Sequence, residues 1–148
     1  MKNGLVLSIF VCLVLNLALL GGTALAHHGF SYEYDATKYI TITGVLTKVD
    51  WENPHMYFYV DVKDADGKVT SWRFEGSSVT LIQNTGTKRL DLVGNIGKTI
   101  TVKAVPGLGG VAKGAAETVK LPDGREIVVG RKRFYGDGSK PDDEDGKN

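Results

Sequence analysis

The feature that most constrains this chain is a pair of alternating runs joined by an Asp-Gly turn. From His55 to Asp64, Met56, Phe58, Val60 and Val62 fall on one side, and His55, Tyr57, Tyr59 and Asp61 on the other. Strict alternation over such a length marks a strand with one buried face. Asp64-Ala65-Asp66-Gly67 supplies a hairpin turn, and Lys68 to Glu75 returns with Trp72 and Phe74 inward and Ser71, Arg73 and Glu75 outward. The hairpin therefore predicts an outer face carrying His55, Tyr57, Tyr59, Arg73 and Glu75, and an apolar inner face that further strands must cover.

Those strands can be read on either side of it. Ile40 and Ile42 alternate with Thr41 and Thr43, and beyond Gly44 the residues Val45, Thr47 and Val49 continue in the opposite phase. A bulge at Gly44 is expected from that shift, bending a long first strand as a small closed barrel requires. Ser77-Ser78 can cap one short helix whose apolar side is Val79, Leu81 and Ile82. Ile100, Val102 and Ala104 alternate as a fourth strand, Ala115 to Leu121 reads as a fifth, and Pro122-Asp123-Gly124 turns it into a last one, Arg125 to Val129. Pro106-Gly107-Leu108-Gly109-Gly110 lacks the strand-loop-helix context and the Lys-Ser/Thr ending of a phosphate loop. The order predicts an all-β, OB-like Greek-key barrel of five to six strands with one short helix between strands 3 and 4. Residues 31–37, ahead of the first strand, show no sustained period and are expected to be an extended lead-in tethered by its aromatics.

The two ends read differently from the barrel. Met1-Lys2-Asn3, the apolar run Leu5 to Leu20 and the ending Ala24-Leu25-Ala26 have the build of a secretory signal peptide cut between Ala26 and His27. The predicted organisation is thus a leader over 1–26, one barrel domain over 27–135 and a disordered acidic tail over 136–148. Cys12, the one cysteine, would leave with the leader, so the mature protein would have neither disulfides nor thiolate chemistry in its periplasmic or secreted destination. Losing Lys2 leaves basic and acidic residues equal in number, which gives no general attraction for nucleic acid or anionic membrane. The apolar run falls short of the roughly 20 residues of a spanning helix, which argues against an uncleaved anchor, and no stable membrane insertion is expected once the leader is removed.

Several blocks along the chain, His27-His28-Gly29-Phe30, Tyr34-Asp35, Gly44-Val45-Leu46-Thr47-Lys48-Val49-Asp50-Trp51-Glu52-Asn53-Pro54-His55 and Trp72-Arg73-Phe74-Glu75-Gly76, resemble a family of small secreted bacterial proteins known as domain of unknown function 6152. The likeness covers residues 27–129, and its most specific part is Trp51-Glu52-Asn53-Pro54-His55. The resemblance implies no activity. The chain departs from the family's pattern at Gly29, where serine or alanine is usual, and at Thr87, where tryptophan is usual; the histidines are untouched.

All three histidines fall at two places, the expected mature N-terminus and the Asn53-Pro54-His55 loop. A first residue His27 offers its α-amine and its imidazole to one metal ion, and His55 or His28 can add a second imidazole. Such a nitrogen-rich tetragonal set suits copper(II) best among the divalent ions. Zinc is the poorer candidate, since no cysteine remains to complete a tetrahedral structural site. Pro54 restricts the residue before it and so helps aim His55, while Glu33, Asp35, Glu52, Asn53 and Glu75 are candidates to support the ligands from behind. Beside this stands the plainer reading in which the histidines are exposed polar residues and His55 bonds within its own turn.

For Tyr57, Tyr59 and Arg73 the functional reading is a metal-free face that binds a small ligand or a periplasmic partner protein, and the plain one is cross-strand pairing on a wet surface. No catalytic residue is assigned: there is no Gly-x-Ser-x-Gly elbow and no His-Glu-x-x-His. Oxygen activation on bound copper, making the protein a copper-dependent redox enzyme, is the remaining class. The expected function is a binding module with a candidate copper site at His27, His28 and His55.

Overall fold

A computed structural model describes residues 29–131; the predicted leader, His27, His28 and the acidic tail lie outside the described residues. The elements run α1 (Phe30–Glu33), β1 (Ile40–Asp50), β2 (Tyr57–Lys63), β3 (Val69–Glu75), α2 (Val79–Asn84), α3 (Arg89–Val93), β4 (Thr99–Pro106), a 3-10 turn (Leu108–Gly110), β5 (Lys113–Lys120) and β6 (Glu126–Val128).

The sheet order is β3-β2-β1-β4-β5-β6, and a parallel pairing of β3 with β5 closes five strands into a barrel with β6 as an extra strand. One edge of β5 is divided between two neighbours. Its first residues, Lys113, Gly114 and Ala115, meet Arg73, Phe74 and Glu75 of β3, and Thr118, Val119 and Lys120 meet β6. The all-β OB-like barrel expected from the strand order is the architecture observed.

The alternation of β2 and β3 is realised as read. Phe58 and Val60 of β2 and Phe74 of β3 are fully buried, and Ile100 and Val102 of β4 with Val119 of β5 fill the opposite wall. Phe58 stacks on Phe74 at 5.3 Å and Phe74 on Trp72 at 5.8 Å, so three rings line the inside of the hairpin. At the hairpin turn Gly67 has φ 85°, the left-handed conformation that glycine takes without steric cost.

The long first strand bends elsewhere than expected. Register slips between Leu46 and Lys48, which makes Thr47 the extra residue of a bulge, and its hydroxyl donates to the Tyr59 carbonyl at 3.2 Å. Through Gly44 the strand keeps one phase, with Leu46 fully buried and Val45 facing out at 38% exposure. Gly44 is needed for another reason: a Cβ there would run into the Asp61 carbonyl and the Val60 side chain where β1 and β2 approach. The sequence reading mistook a close approach for a bulge because both leave a glycine in a strand.

Two short helices, not one, separate β3 from β4. The first is capped by Ser78, whose hydroxyl accepts from the Leu81 N–H, and the second begins where the Asp91 carboxylate accepts from the Lys88 N–H at 2.7 Å. Ile82 and Leu92 plug the barrel from these helices. The lead-in also differs from expectation: residues 30–33 form one helical turn, and the Tyr34 N–H closes it on the Phe30 carbonyl. From there the arm lies on the outside of the barrel, where Tyr34, Val105 and Ala115 form a second small core with Phe30 and Tyr39 against it.

Candidate functional site: the His55–Glu75–Tyr34 junction

His55 owes its position to the residue after it. Met56 is fully buried, its N–H donates to the Ser77 carbonyl at 3.2 Å, and its carbonyl accepts from the Gly76 N–H at 2.8 Å. The loop before it is held as well: the Asn53–Pro54 bond is cis, and the Asn53 side-chain oxygen accepts from the Val79 N–H at 3.0 Å. His55 therefore stands at the head of β2 with both flanks fixed, and its side chain is about half exposed at 46%.

Its Nδ1 rests on Oε1 of Glu75. Glu75 ends β3 directly across from Tyr57, and its side chain is largely covered, at 19% exposure. The other carboxylate oxygen, Oε2, accepts from the Tyr34 hydroxyl at 2.8 Å. One carboxylate thus joins the loop that carries His55 to the arm that leads to the N-terminus. With Nδ1 occupied, Nε2 is the ring nitrogen left to meet a ligand.

Tyr34 is the residue that the sequence did not single out for the site. It is 5% exposed, stacks on Phe30 at 4.9 Å, and lies under the Lys113 ammonium at 5.2 Å from the ring centre. Burial first, and the neighbouring Glu75 carboxylate second, push its phenol well above the ordinary range. Burial and then Glu75 raise Tyr57 as well, against the opposing effect of Arg73. The arm's path is fixed further by the Asp35 N–H on the Pro106 carbonyl at 2.9 Å and by Tyr39, whose hydroxyl contacts both oxygens of the buried Glu117 at 2.7 Å. Phe30 and Glu75 line one small cleft with Ser77 and Arg131.

Of the five residues expected to support the ligands, Glu75 is the one found on His55. Asn53 is spent on α2. Glu33 accepts from Lys113 Nζ at 3.1 Å, and Asp35 bonds Thr37 and Lys38, the Lys38 ammonium foremost in lowering its carboxyl to about 2. Glu52 is exposed in the loop. His27 and His28 lie outside the described residues, and among the described residues no three metal-ligating side chains are grouped.

The tyrosine face is built as the alternation requires, with Tyr59 across from Arg73 and Tyr57 across from Glu75. Each ring is met by a cation of the protein itself, Arg73 over Tyr57 at 5.3 Å and Lys48 over Tyr59 at 5.1 Å. The roomier groove, about 250 Å³ between α2 and β6, is lined by Leu81, Ile82, Thr85 and Val128 and holds none of the predicted site residues.

A model of the family of unknown function DUF6152 matches residues 15–116, more than half of the chain. No curated protein and no solved structure gives a significant match.

Proposed function

From a chain that belongs to that family, we propose an exported barrel that binds copper(II) through the amine and imidazole of a mature N-terminal His27 and through Nε2 of His55, with His28 as the alternative imidazole. The observation that carries this reading is the shared carboxylate: Glu75 engages Nδ1 of His55 with one oxygen and Tyr34 with the other. A carboxylate behind an imidazole fixes its tautomer and raises its basicity as a metal ligand. Covalent reach supports the same reading. At about 3.6 Å per residue, His28 and His27 can stray no more than about 7 and 11 Å along the chain from Phe30, which shares a cleft with Glu75.

The bound ion would be a divalent Lewis acid held by nitrogen, and the protein's share is to present Nε2, exclude the other ring nitrogen, and hold the arm against the barrel. The metal-free reading at Tyr57, Tyr59 and Arg73 is the weaker one, because cations of the chain already cover the rings a ligand would stack on.

Titration of the exported, processed protein with copper(II) against a competing chelator tests the proposal. Expected is a dissociation constant well below about 1 μM, weakened at least tenfold by His55→Ala and by one extra residue placed before His27. Binding no tighter than micromolar, or binding indifferent to both changes, overturns it. Copper-dependent hydrogen peroxide formation with a reductant would extend the reading to a redox enzyme.

A further inference from the structure

Among the described residues four cations sit over tyrosine rings, and at one of these rings, Tyr34, the hydroxyl bonds at 2.8 Å the carboxylate that holds His55. The arm has a second anchor of the same chemistry, Tyr39 on Glu117, which touches neither His55 nor Glu75. The pair offers a natural control within one molecule.

A carboxylate with one oxygen unbonded can rotate about its last torsion, which is broad and roughly two-fold. Here the Tyr34 hydroxyl at 2.8 Å holds Oε2, and with it the plane of the group, so that Oε1 stays aimed at Nδ1. The donor itself cannot wander. Its ring is buried between Phe30 and the Lys113 ammonium, its backbone bridges to Gly107, and the next N–H is fixed on Pro106. The arrangement runs from the barrel's outer core to an imidazole that is half exposed, through a single shared carboxylate.

We infer that Tyr34 is a positioning residue for His55: through Glu75 it holds the imidazole with hydrogen on Nδ1 and with Nε2 bare and directed outward, in the form that a metal ion can take. The inference deepens the copper reading, on which its functional meaning rests, but its physical content concerns the metal-free protein. Removing the Tyr34 hydroxyl leaves the ring packing in place and takes away the bond that holds Oε2, while Tyr57 stays beside the carboxylate. His55 then loses its single orientation.

The test is nitrogen NMR of the His55 ring in the metal-free, processed protein at a pH of about 8, above the ordinary histidine range of roughly 6.5, comparing the parent with Tyr34→Phe, Tyr39→Phe and Glu75→Gln. Expected is one tautomer, hydrogen on Nδ1, in the parent and in Tyr39→Phe, and a mixture of tautomers in Tyr34→Phe and Glu75→Gln. Copper titration of the same set should then show about a tenfold or larger weakening in Tyr34→Phe and Glu75→Gln and none in Tyr39→Phe. An unchanged His55 tautomer in a folded Tyr34→Phe overturns the inference whether or not copper binds. A tautomer that does shift, in a protein whose parent fails to bind copper, leaves Tyr34 in its role and removes the copper reading alone.

Discussion

Phe74→Ala probes whether the seam between β3 and β5 is held by packing or by its backbone pairing. That seam is three residue pairs long, and Phe74 is the middle one, opposite Gly114. Its ring lies so close to Gly114 that a Cβ there would sit 3.1 Å from Phe74 Cε1, and it stacks between Phe58 and Trp72. Truncating a fully buried phenylalanine costs about 3–5 kcal/mol from lost transfer and the cavity left behind. Each aromatic pair adds roughly 0.5–1.5 kcal/mol beyond area, so the upper half of that range is expected, against a total stability of about 5–15 kcal/mol for a domain of this size. The assay is equilibrium unfolding in urea, with hydrogen exchange read at the Arg73 amide, which donates to the Ala112 carbonyl across the seam. Protection at Arg73 should fall at least as far as the global stability does. A loss below about 1.5 kcal/mol, or a seam amide that stays protected while the rest of the barrel weakens, would refute the claim that the ring stack holds the barrel shut.

Three further outcomes are expected. Gly44→Val should destabilise the barrel by about 1–3 kcal/mol in the same urea assay, because the new side chain meets the Asp61 carbonyl where β1 and β2 approach. Tyr34 has a folded-state phenol raised above its ordinary value of 10.0, so the stability it contributes is fully present below pH 10.0 and is lost as pH rises beyond it, where only the unfolded chain gives up the proton; denaturant midpoints measured up an alkaline series should fall less steeply in Tyr34→Phe than in the parent. The carboxyl of Asp91 is lowered by the Lys88 N–H first and by Arg125 after the opposing effect of burial, so its contribution is present above pH 3.8 and lost as pH falls below it; Asp91→Asn should flatten that acid limb, and an unchanged limb would count against the α3 cap.

The strands were legible because each needs only local information, a period of two and a turn. Phe58, Val60, Phe74 and Val102 are buried where the alternation put them, and the closing of the barrel followed from their order. Short helices are another matter. The five residues of α3 are fewer than two turns, too few for a 3.6-residue period to show, and their start depends on an Asp91 carboxylate reaching back to Lys88. The bulge at Thr47 was hidden for a related reason, since nothing in Leu46-Thr47-Lys48 distinguishes an extra residue from a polar one facing water; the register with β2 decides it.

The site divides along the same line. Glu75 could be placed on the face with His55 from alternation alone, because residues of adjacent strands that share a face are neighbours. Tyr34 could not, since it lies 41 positions from Glu75 and reaches it from the outside of the barrel, where no period operates. What the sequence did offer was a lead-in rich in aromatics ahead of the first strand, with no inner face on which to bury them. Aromatic side chains bury large areas, and a tyrosine taken out of water keeps a hydroxyl that needs a partner. An aromatic arm on an all-β barrel should therefore be expected to seek carboxylates on the barrel's exterior, and here Tyr34 and Tyr39 reach Glu75 and Glu117. Among the described residues the imidazole of His55 rests on Glu75, and that contact is the reason to look for chemistry at this end of the arm.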